Sequence, residues 1–220
     1  MSIVDDVEAS LLLKSPDVAS DIDVVQHLYD TFTWRFIHAG CFLLGGTTFL
    51  AGTLVLLSSS SVAPLISALF YIIGSCGFLC VDVLEFFTFT GAALLSLNIS
   101  ASAIGSTAYV IGSIGFLPIV LNGIWGTSIG VWGFIIGSAL IAVSQMMKVL
   151  RLLLINNHRD INAIGVEANA GLGAACFLIG TAALNSWSFM SVILVWAAGS
   201  IFFTIGGCFL AYRHFYLLIT

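Results

Sequence analysis

Between residues 130 and 147 the chain reads GVWGFIIGSALIAVSQMM, a run without a charged side chain. This run ends a charge-free block that covers residues 86–147, and two further blocks cover residues 36–81 and 168–212. A helix that spans a bilayer needs roughly 20 apolar residues, so each block is long enough for two spans and a turn. Lipid cannot hydrogen-bond to the backbone, and apolar runs without alternation favour helices over a barrel. The three blocks therefore predict six membrane-spanning helices.

The composition of the whole chain agrees with a membrane protein and excludes several other classes. Of its 220 residues, 60% are hydrophobic and 8% are charged, whereas soluble domains carry about 25% charged residues. Six Lys and Arg against 11 Asp and Glu provide no basic surface for nucleic acid. The acidic N-terminus lacks the basic region of a secretory signal peptide. We predict a multi-pass integral protein, surrounded by lipid, in the plasma membrane or an organelle membrane.

Helix-breaking turns divide the blocks into six spans. The predicted spans are 36–57, 63–86, 103–121, 130–152, 168–184 and 189–211. The basic residues then all fall on one side of the membrane: Lys14, Arg35, Lys148, Arg151, Arg159 and Arg213. By the positive-inside rule this side is cytoplasmic, and both termini face it. The sequon Asn98-Ile99-Ser100 falls in the connection between the second and third spans on this side, so we expect no glycan there.

A short motif recurs in the even-numbered spans. It reads YIIGS at Tyr71, FIIGS at Phe134 and WAAGS at Trp196, at spacings of 63 and 62 residues. Self-similarity at this period predicts three tandem helical hairpins, inserted in the same direction and related by an axis along the membrane normal. The predicted domains are an acidic N-terminal segment with a short interfacial amphipathic helix (1–33) and the hairpin repeats 34–97, 98–160 and 161–220.

Glycine recurs along the predicted spans at positions that the repeats share. In lipid, small residues at helix interfaces let two backbones approach closely. We interpret eight glycines as helix-packing positions: Gly45, Gly74, Gly112, Gly133, Gly137, Gly180, Gly199 and Gly207. A substrate path lined by glycine is the alternative.

The stretch FIIGSAL at residues 134–140, which runs on to Lys148 and Arg151, resembles the second helix of the YrhK-like domain. This family is a small two-span membrane domain, and residues 43–56 are similar to its first helix. The resemblance covers residues 36–218 as three copies and is best in the second copy. It implies a membrane hairpin and carries no activity, cofactor or partner. The first copy departs from the pattern, because Asp82 and Glu85 stand where the second copy has Gln145 and Lys148.

Two carboxylates, Asp82 and Glu85, fall inside the second predicted span and share a helix face. An acidic residue within a membrane is a candidate proton or cation site. The repeat spacing aligns Glu85 with Lys148, so an ion pair with Lys148 or Arg151 is the other interpretation. We therefore predict an ion site or an ion-pair site that contains Asp82, Glu85, Lys148 and Arg151.

Histidine and cysteine offer further candidate ligands. His38 and His214 lie at the inner ends of the first and sixth spans, where helical histidine can ligate haem iron or chlorophyll magnesium. We favour solvated histidines at the membrane interface. The five cysteines have no metal-site spacing and are interpreted as packing residues. We predict no metal site and, apart from the pigment alternative, no cofactor.

Three functions are compatible with these features. No hydrolase, phosphate-loop or metalloprotease motif occurs, so we predict a protein that is not an enzyme. The first hypothesis, which the sequence favours, is a non-catalytic accessory or scaffold subunit that packs against other membrane subunits or copies of itself. The second is a small ion, proton or solute channel or transporter with Asp82 and Glu85 at its inner mouth. The third is a haem or pigment carrier through His38 or His214.

Overall fold

A computed structural model describes residues 31–88, 93–123, 125–155 and 160–216. All regular structure in these ranges is helical. The long helices are α1 (Phe32–Val55), α2 (Ala63–Thr88), α3 (Ala93–Gly115), α4 (Gly126–Ile155), α5 (Ile161–Ala182) and α6 (Phe189–Phe215), with a one-turn helix, Pro118–Leu121, between α3 and α4. All six have the length and apolar character needed to cross a membrane. The prediction of six apolar helices is confirmed.

The chain divides into two compact units, residues 1–36 and 37–220. In the first unit the described residues begin at Thr31, whose hydroxyl accepts a hydrogen bond of 3.3 Å from the backbone N–H of Trp34. This bond satisfies one of the free N–H groups at the start of α1. Up to residue 30, the N-terminal segment 1–33, for which a short amphipathic helix was predicted, lies outside the described residues.

Within residues 37–220 each long helix packs on the next one, and α6 packs on α1. A Cβ placed on Gly77 of α2 would lie 2.7 Å from the carbonyl oxygen of Cys41 in α1, and one on Gly207 of α6 would lie 2.9 Å from the Cα of Leu43 in α1. The pairs α2 and α3, α3 and α4, α4 and α5, and α5 and α6 are also in contact. The six helices therefore form a closed ring in which neighbours run antiparallel.

The glycines singled out in the sequence lie at these helix contacts. A Cβ placed on any of the eight would come within 3.0 Å of a neighbouring atom. At Gly133 that atom is the Cα of Gly112, at 2.5 Å, so α3 and α4 touch through their backbones. Gly40, by contrast, has nothing within 4 Å of such a Cβ. The small residues are thus used for packing inside the chain, as expected where lipid supplies no hydrophobic drive between helices.

Aromatic side chains fill the middle of the ring. We call the following set, one ring from each helix, the aromatic layer: Phe49, Tyr71, Tyr109, Phe134, Phe177 and Trp196. Phe49 is fully buried, and its ring centroid lies 5.1 Å from that of Tyr71 and 5.2 Å from that of Phe177. Each polar atom of the layer is bonded: Tyr71 to Thr53 and Tyr109 to Ser138, both at 2.8 Å, and Trp196 Nε1–H to Thr181 at 3.2 Å. Such satisfied networks hold a buried layer in one arrangement.

The boundaries of the third and fifth helices differ most from the prediction, and those of the other four differ by four residues or fewer. The third span was expected at 103–121, but α3 begins at Ala93 and ends at Gly115. Pro118 explains the end, because the residue before a proline avoids the helical region, and Leu117 has φ −60° and ψ 133°. The sequon is also not in a connection as predicted: Asn98 lies in α3 with a buried side chain. The fifth span begins at Ile161, seven residues before its predicted start.

Candidate functional site

Charged and histidine side chains converge inside one end of the ring. We call it the polar end; there α1, α3 and α5 begin and α2, α4 and α6 end. The following residues, one or two from each helix, form what we call the polar cluster: His38, Asp82, Glu85, Ser106, Lys148, Glu167 and His214. Each lies on a helix face that points into the ring, because all are buried or nearly so. The cluster therefore draws on all six helices.

The two histidines form a chain of hydrogen bonds with Glu85. His214 Nε2 lies 3.0 Å from His38 Nδ1, and His38 Nε2 lies 3.2 Å from Glu85 Oε1. An ionised carboxylate only accepts hydrogen bonds, so His38 donates to it through Nε2–H. The Nδ1 atom of a neutral His38 is then an acceptor, and His214 donates to it through its own Nε2–H. Both bonds thus point from His214 towards Glu85.

Lys148 joins this chain to a second carboxylate. Its Nζ lies 2.9 Å from Glu85 Oε2 and 3.7 Å from Glu167 Oε2. The side chain of Lys148 is 12% exposed, that of Glu85 16% and that of Glu167 19%. Charge-assisted bonds of this kind offset part of the cost of taking ions out of water. Lys148 is therefore the cation that holds α2, α4 and α5 together at the polar end.

Asp82 lies one turn deeper than Glu85 on the same face of α2 and is 5% exposed. The hydroxyl of Ser106 in α3 donates a short hydrogen bond to Asp82 Oδ2. Ser102, one turn away on α3, is also buried. Because of Asp82, the polar cluster extends from the end of the ring towards the aromatic layer.

Acidic groups outnumber basic ones in the cluster. When the histidines are neutral, the carboxylates of Asp82, Glu85 and Glu167 face the single ammonium of Lys148. Uncompensated negative charge in a low-dielectric interior is costly, and binding of a proton or cation lowers that cost. The arrangement is therefore suited to take up positive charge.

The structure brings together only some of the residues predicted for the ion site. Glu85 and Lys148 are in direct contact, and Asp82, one turn away on α2, accepts a hydrogen bond from Ser106. Arg151 makes no ion pair within 4.0 Å among the described residues and contributes no group to the cluster. Arg213 does form an ion pair near the polar end: its Nε lies 3.2 Å from Asp160 Oδ2 at a half-exposed site.

The interpretation of His38 and His214 as solvated histidines is wrong. They are 4% and 1% exposed and are hydrogen-bonded to one another. Their rings meet because α6 packs against α1 when the ring closes. Among the described residues no group of three His, Cys, Asp or Glu side chains could hold a metal ion. His38 and His214 are the candidate haem or pigment ligands predicted from the sequence. One ring nitrogen of each is used in the hydrogen bond between the two rings.

Two members of the cluster, Glu167 and Ser106, were not predicted from the sequence. The fifth span was predicted to begin at residue 168, which left Glu167 outside it. Asp160 held the signal for the correct start, since its carboxylate accepts 3.1 Å bonds from the backbone N–H groups of Asn162 and Ala163. Aspartate is a favoured N-cap residue, and a cap at 160 places Glu167 two turns inside the helix.

Together these features define an integral membrane protein: six apolar helices closed into a ring, with a cluster of ionisable side chains inside one end. Comparison of the chain with protein-family models, with curated proteins and with solved structures finds no match. The resemblance to the YrhK-like domain therefore stays a prediction.

Proposed function

We propose that this protein is a small membrane channel or transporter without enzymatic activity, and that its path runs along the axis of the ring. The observation that carries this proposal is the polar cluster, in which Glu85, Lys148 and Glu167 are drawn from three helices into the interior. Charged side chains inside a membrane bundle are expensive and typically mark ion or substrate pathways. A protein that served only for packing would gain more from apolar residues at these positions.

The internal repeat supports a path on the axis. We infer that the helices form three hairpins, α1–α2, α3–α4 and α5–α6, related by rotation about the ring axis. Tyr71, Phe134 and Trp196 stand at equivalent places in the motif, and all three contribute rings to the aromatic layer. Binding sites of transporters built from repeats lie where the repeats meet, which here is the axis.

The repeats differ where the polar cluster lies. Glu85 corresponds to Lys148 of the second hairpin and to Leu210 of the third. Equivalent positions thus carry an acid, a base and an apolar residue around one axis. This departure from the repeat supports a site rather than a packing position, because the packing position of Gly74, Gly137 and Gly199 keeps its identity in all three hairpins.

The aromatic layer supports a gate on the proposed path. Its rings are in mutual contact across the axis, with Phe49 touching rings from all five other helices. A solute that follows the axis must displace them. The structure described here then corresponds to a closed state, with the polar cluster at one mouth of the path.

For the orientation we propose that the polar end faces the cytoplasm. Lys148, Arg151 and Arg213 all lie near this end, and the turns at the opposite end carry no Lys or Arg. The positive-inside rule assigns such an end to the cytoplasmic side.

The proposal is tested by flux into proteoliposomes that contain the purified protein. Uptake of small ions and neutral solutes is compared for the wild-type protein, Asp82→Asn and Glu85→Gln, with Arg151→Gln as the matched control outside the cluster. We expect flux above that of empty liposomes, unchanged in the control and at least about ten-fold lower in the two cluster variants, a loss of about 1.4 kcal/mol in barrier terms. Equal flux in all four proteins would show that Asp82 and Glu85 are not part of a transport site.

An accessory subunit remains the second candidate. It is supported by the contacts of Lys148 with both Glu85 and Glu167, because ion pairs that join three helices also suit a rigid scaffold. Extraction from the native membrane in mild detergent and measurement of native mass separates the two functions. Co-purifying polypeptides would favour the accessory subunit, and a monomer or small homo-oligomer alone would favour the channel or transporter. A colourless preparation would exclude the haem or pigment carrier.

A further inference from the structure

The polar cluster contains an ordered chain of exchangeable protons. We infer that His214, His38 and Glu85 form a proton-binding relay, and that the proton is the ion that this protein binds at its polar end. The inference rests on the proposed transport function and names the ion that the proposed site takes.

Two features of the chain fit a proton better than a metal cation. His38 uses both ring nitrogens, Nδ1 towards His214 at 3.0 Å and Nε2 towards Glu85 at 3.2 Å. An imidazole bonded on both sides accepts a proton at one nitrogen and releases one from the other. Na⁺ or Ca²⁺ prefers several oxygen ligands, whereas the two positions next to Glu85 are taken by a histidine nitrogen and by Lys148 Nζ.

The transfer can be written with each bond accounted for. A proton binds the Nδ1 of His214, and the Nε2–H proton of His214 moves to Nδ1 of His38. The Nε2–H proton of His38 then moves to Glu85 Oε1, where an O–H bond forms. One proton has moved from His214 to Glu85, no electrons have been exchanged, and each ring has changed its tautomer.

The charges around the chain favour a single bound proton. Within the ranges that the structure describes, the groups that face it include Asp82 and Glu85 from α2, Lys148 from α4 and Glu167 from α5, with the hydroxyls of Ser102 and Ser106 on α3 and the Arg213–Asp160 pair at the rim. The first proton reduces the excess of negative charge. A second proton would place two imidazolium rings in contact, at a nitrogen separation of 3.0 Å. The pair should therefore share one proton.

The first test counts protons on the purified protein in detergent. Proton uptake between about pH 8 and about pH 5, where histidine titrates, is measured for the wild-type protein and for the double variant His38→Gln/His214→Gln. We expect the double variant to take up one proton fewer per chain. A difference of two protons would mean independent histidines, a difference of none would mean rings that stay neutral, and either result overturns the relay. Uptake that requires Na⁺ at fixed pH also overturns it.

The second test measures proton movement in proteoliposomes that contain a pH-sensitive dye. His38→Gln keeps a hydrogen-bonding side chain but cannot pass a proton, so we expect proton flux about a hundred-fold lower, the scale typical of a positioned proton-transfer group. Arg151→Gln, at the polar end but outside the cluster, is the matched control and should keep wild-type flux. Unchanged proton flux in His38→Gln overturns the relay.

The two tests separate failure of the relay from failure of the proposed function. If solute or ion flux persists while the wild-type protein and the double variant differ by two protons or by none, the transport function stands and the relay is wrong. If proton uptake differs by one and no solute or ion crosses the membrane, the proton site stands and the transport function is wrong.

Discussion

Replacement of Phe49 by alanine tests the aromatic layer most directly. Phe49 is fully buried, and its centroid lies 5.1 to 6.2 Å from those of six rings, which come from all five other helices. In soluble proteins a buried Phe→Ala change costs about 3–5 kcal/mol, which includes the transfer of the side chain out of water. Lipid is as apolar as the protein interior, so the transfer part, about 1.5–3 kcal/mol, is largely absent here. The lost packing contacts should therefore lower the free energy of unfolding by about 2 kcal/mol, which is roughly a 30-fold change in the unfolding equilibrium constant.

The assay is an unfolding titration of the protein in bicelles, with Phe87→Ala as the matched control. Phe87 is also in a spanning helix but is 72% exposed, so its loss should cost under about 0.5 kcal/mol. Phe49→Leu should recover most of the stability, because it refills the centre of the layer. Equal costs for Phe49→Ala and Phe87→Ala would refute the reasoning. In proteoliposomes Phe49→Ala should also raise solute leak if the layer is the gate, whereas a tighter membrane would contradict that role.

Two further substitutions test the packing and the cluster. Gly133→Ala should destabilise the protein by about 1–3 kcal/mol, as overpacking does, because the new methyl would meet Gly112; Gly40→Ala, with open space around it, should cost nothing. Equal thermal stability of the two variants would contradict the backbone contact. Lys148→Met should cost about 3–5 kcal/mol at neutral pH, since it leaves Glu85 without its ammonium partner, and the deficit should shrink in acid because a protonated carboxyl needs no cation. Arg151→Met is the control, and a loss of similar size there would show that any basic residue at this end has the same effect.

The number of helices could be predicted because it depends only on local composition. A block such as residues 86–147 can hold two spans whatever it packs against. The boundaries were less accurate where tertiary contacts decide them. Asn98 was read as a loop residue, but its backbone carbonyl oxygen accepts a 3.0 Å hydrogen bond from Ser144 in α4, and α3 extends past it to Ala93.

The candidate site could be predicted only in part, for the same physical reason. The predicted repeat aligned Glu85 with Lys148, and the two side chains are in contact. The bond between His38 and His214 joins residues 176 positions apart and exists only because α6 returns to α1. No spacing in one chain indicates that closure. Glu167 was missed for a local reason, since the N-cap at Asp160 was not used to begin its helix.

The closure of the ring also sets an order of events during synthesis. A ribosome adds about 5–20 residues each second, and Lys148 follows Glu85 by 63 residues, so the nascent chain holds that carboxylate for roughly 3–13 s before its cation has been made. His214 follows His38 by 176 residues, a wait of roughly 9–35 s. During this interval the insertion machinery has to shelter α2 near water or beside another protein. The ring can close only when all six helices have been made. A chain that leaves the insertion machinery before Lys148 has been made would expose an unpaired carboxylate to lipid.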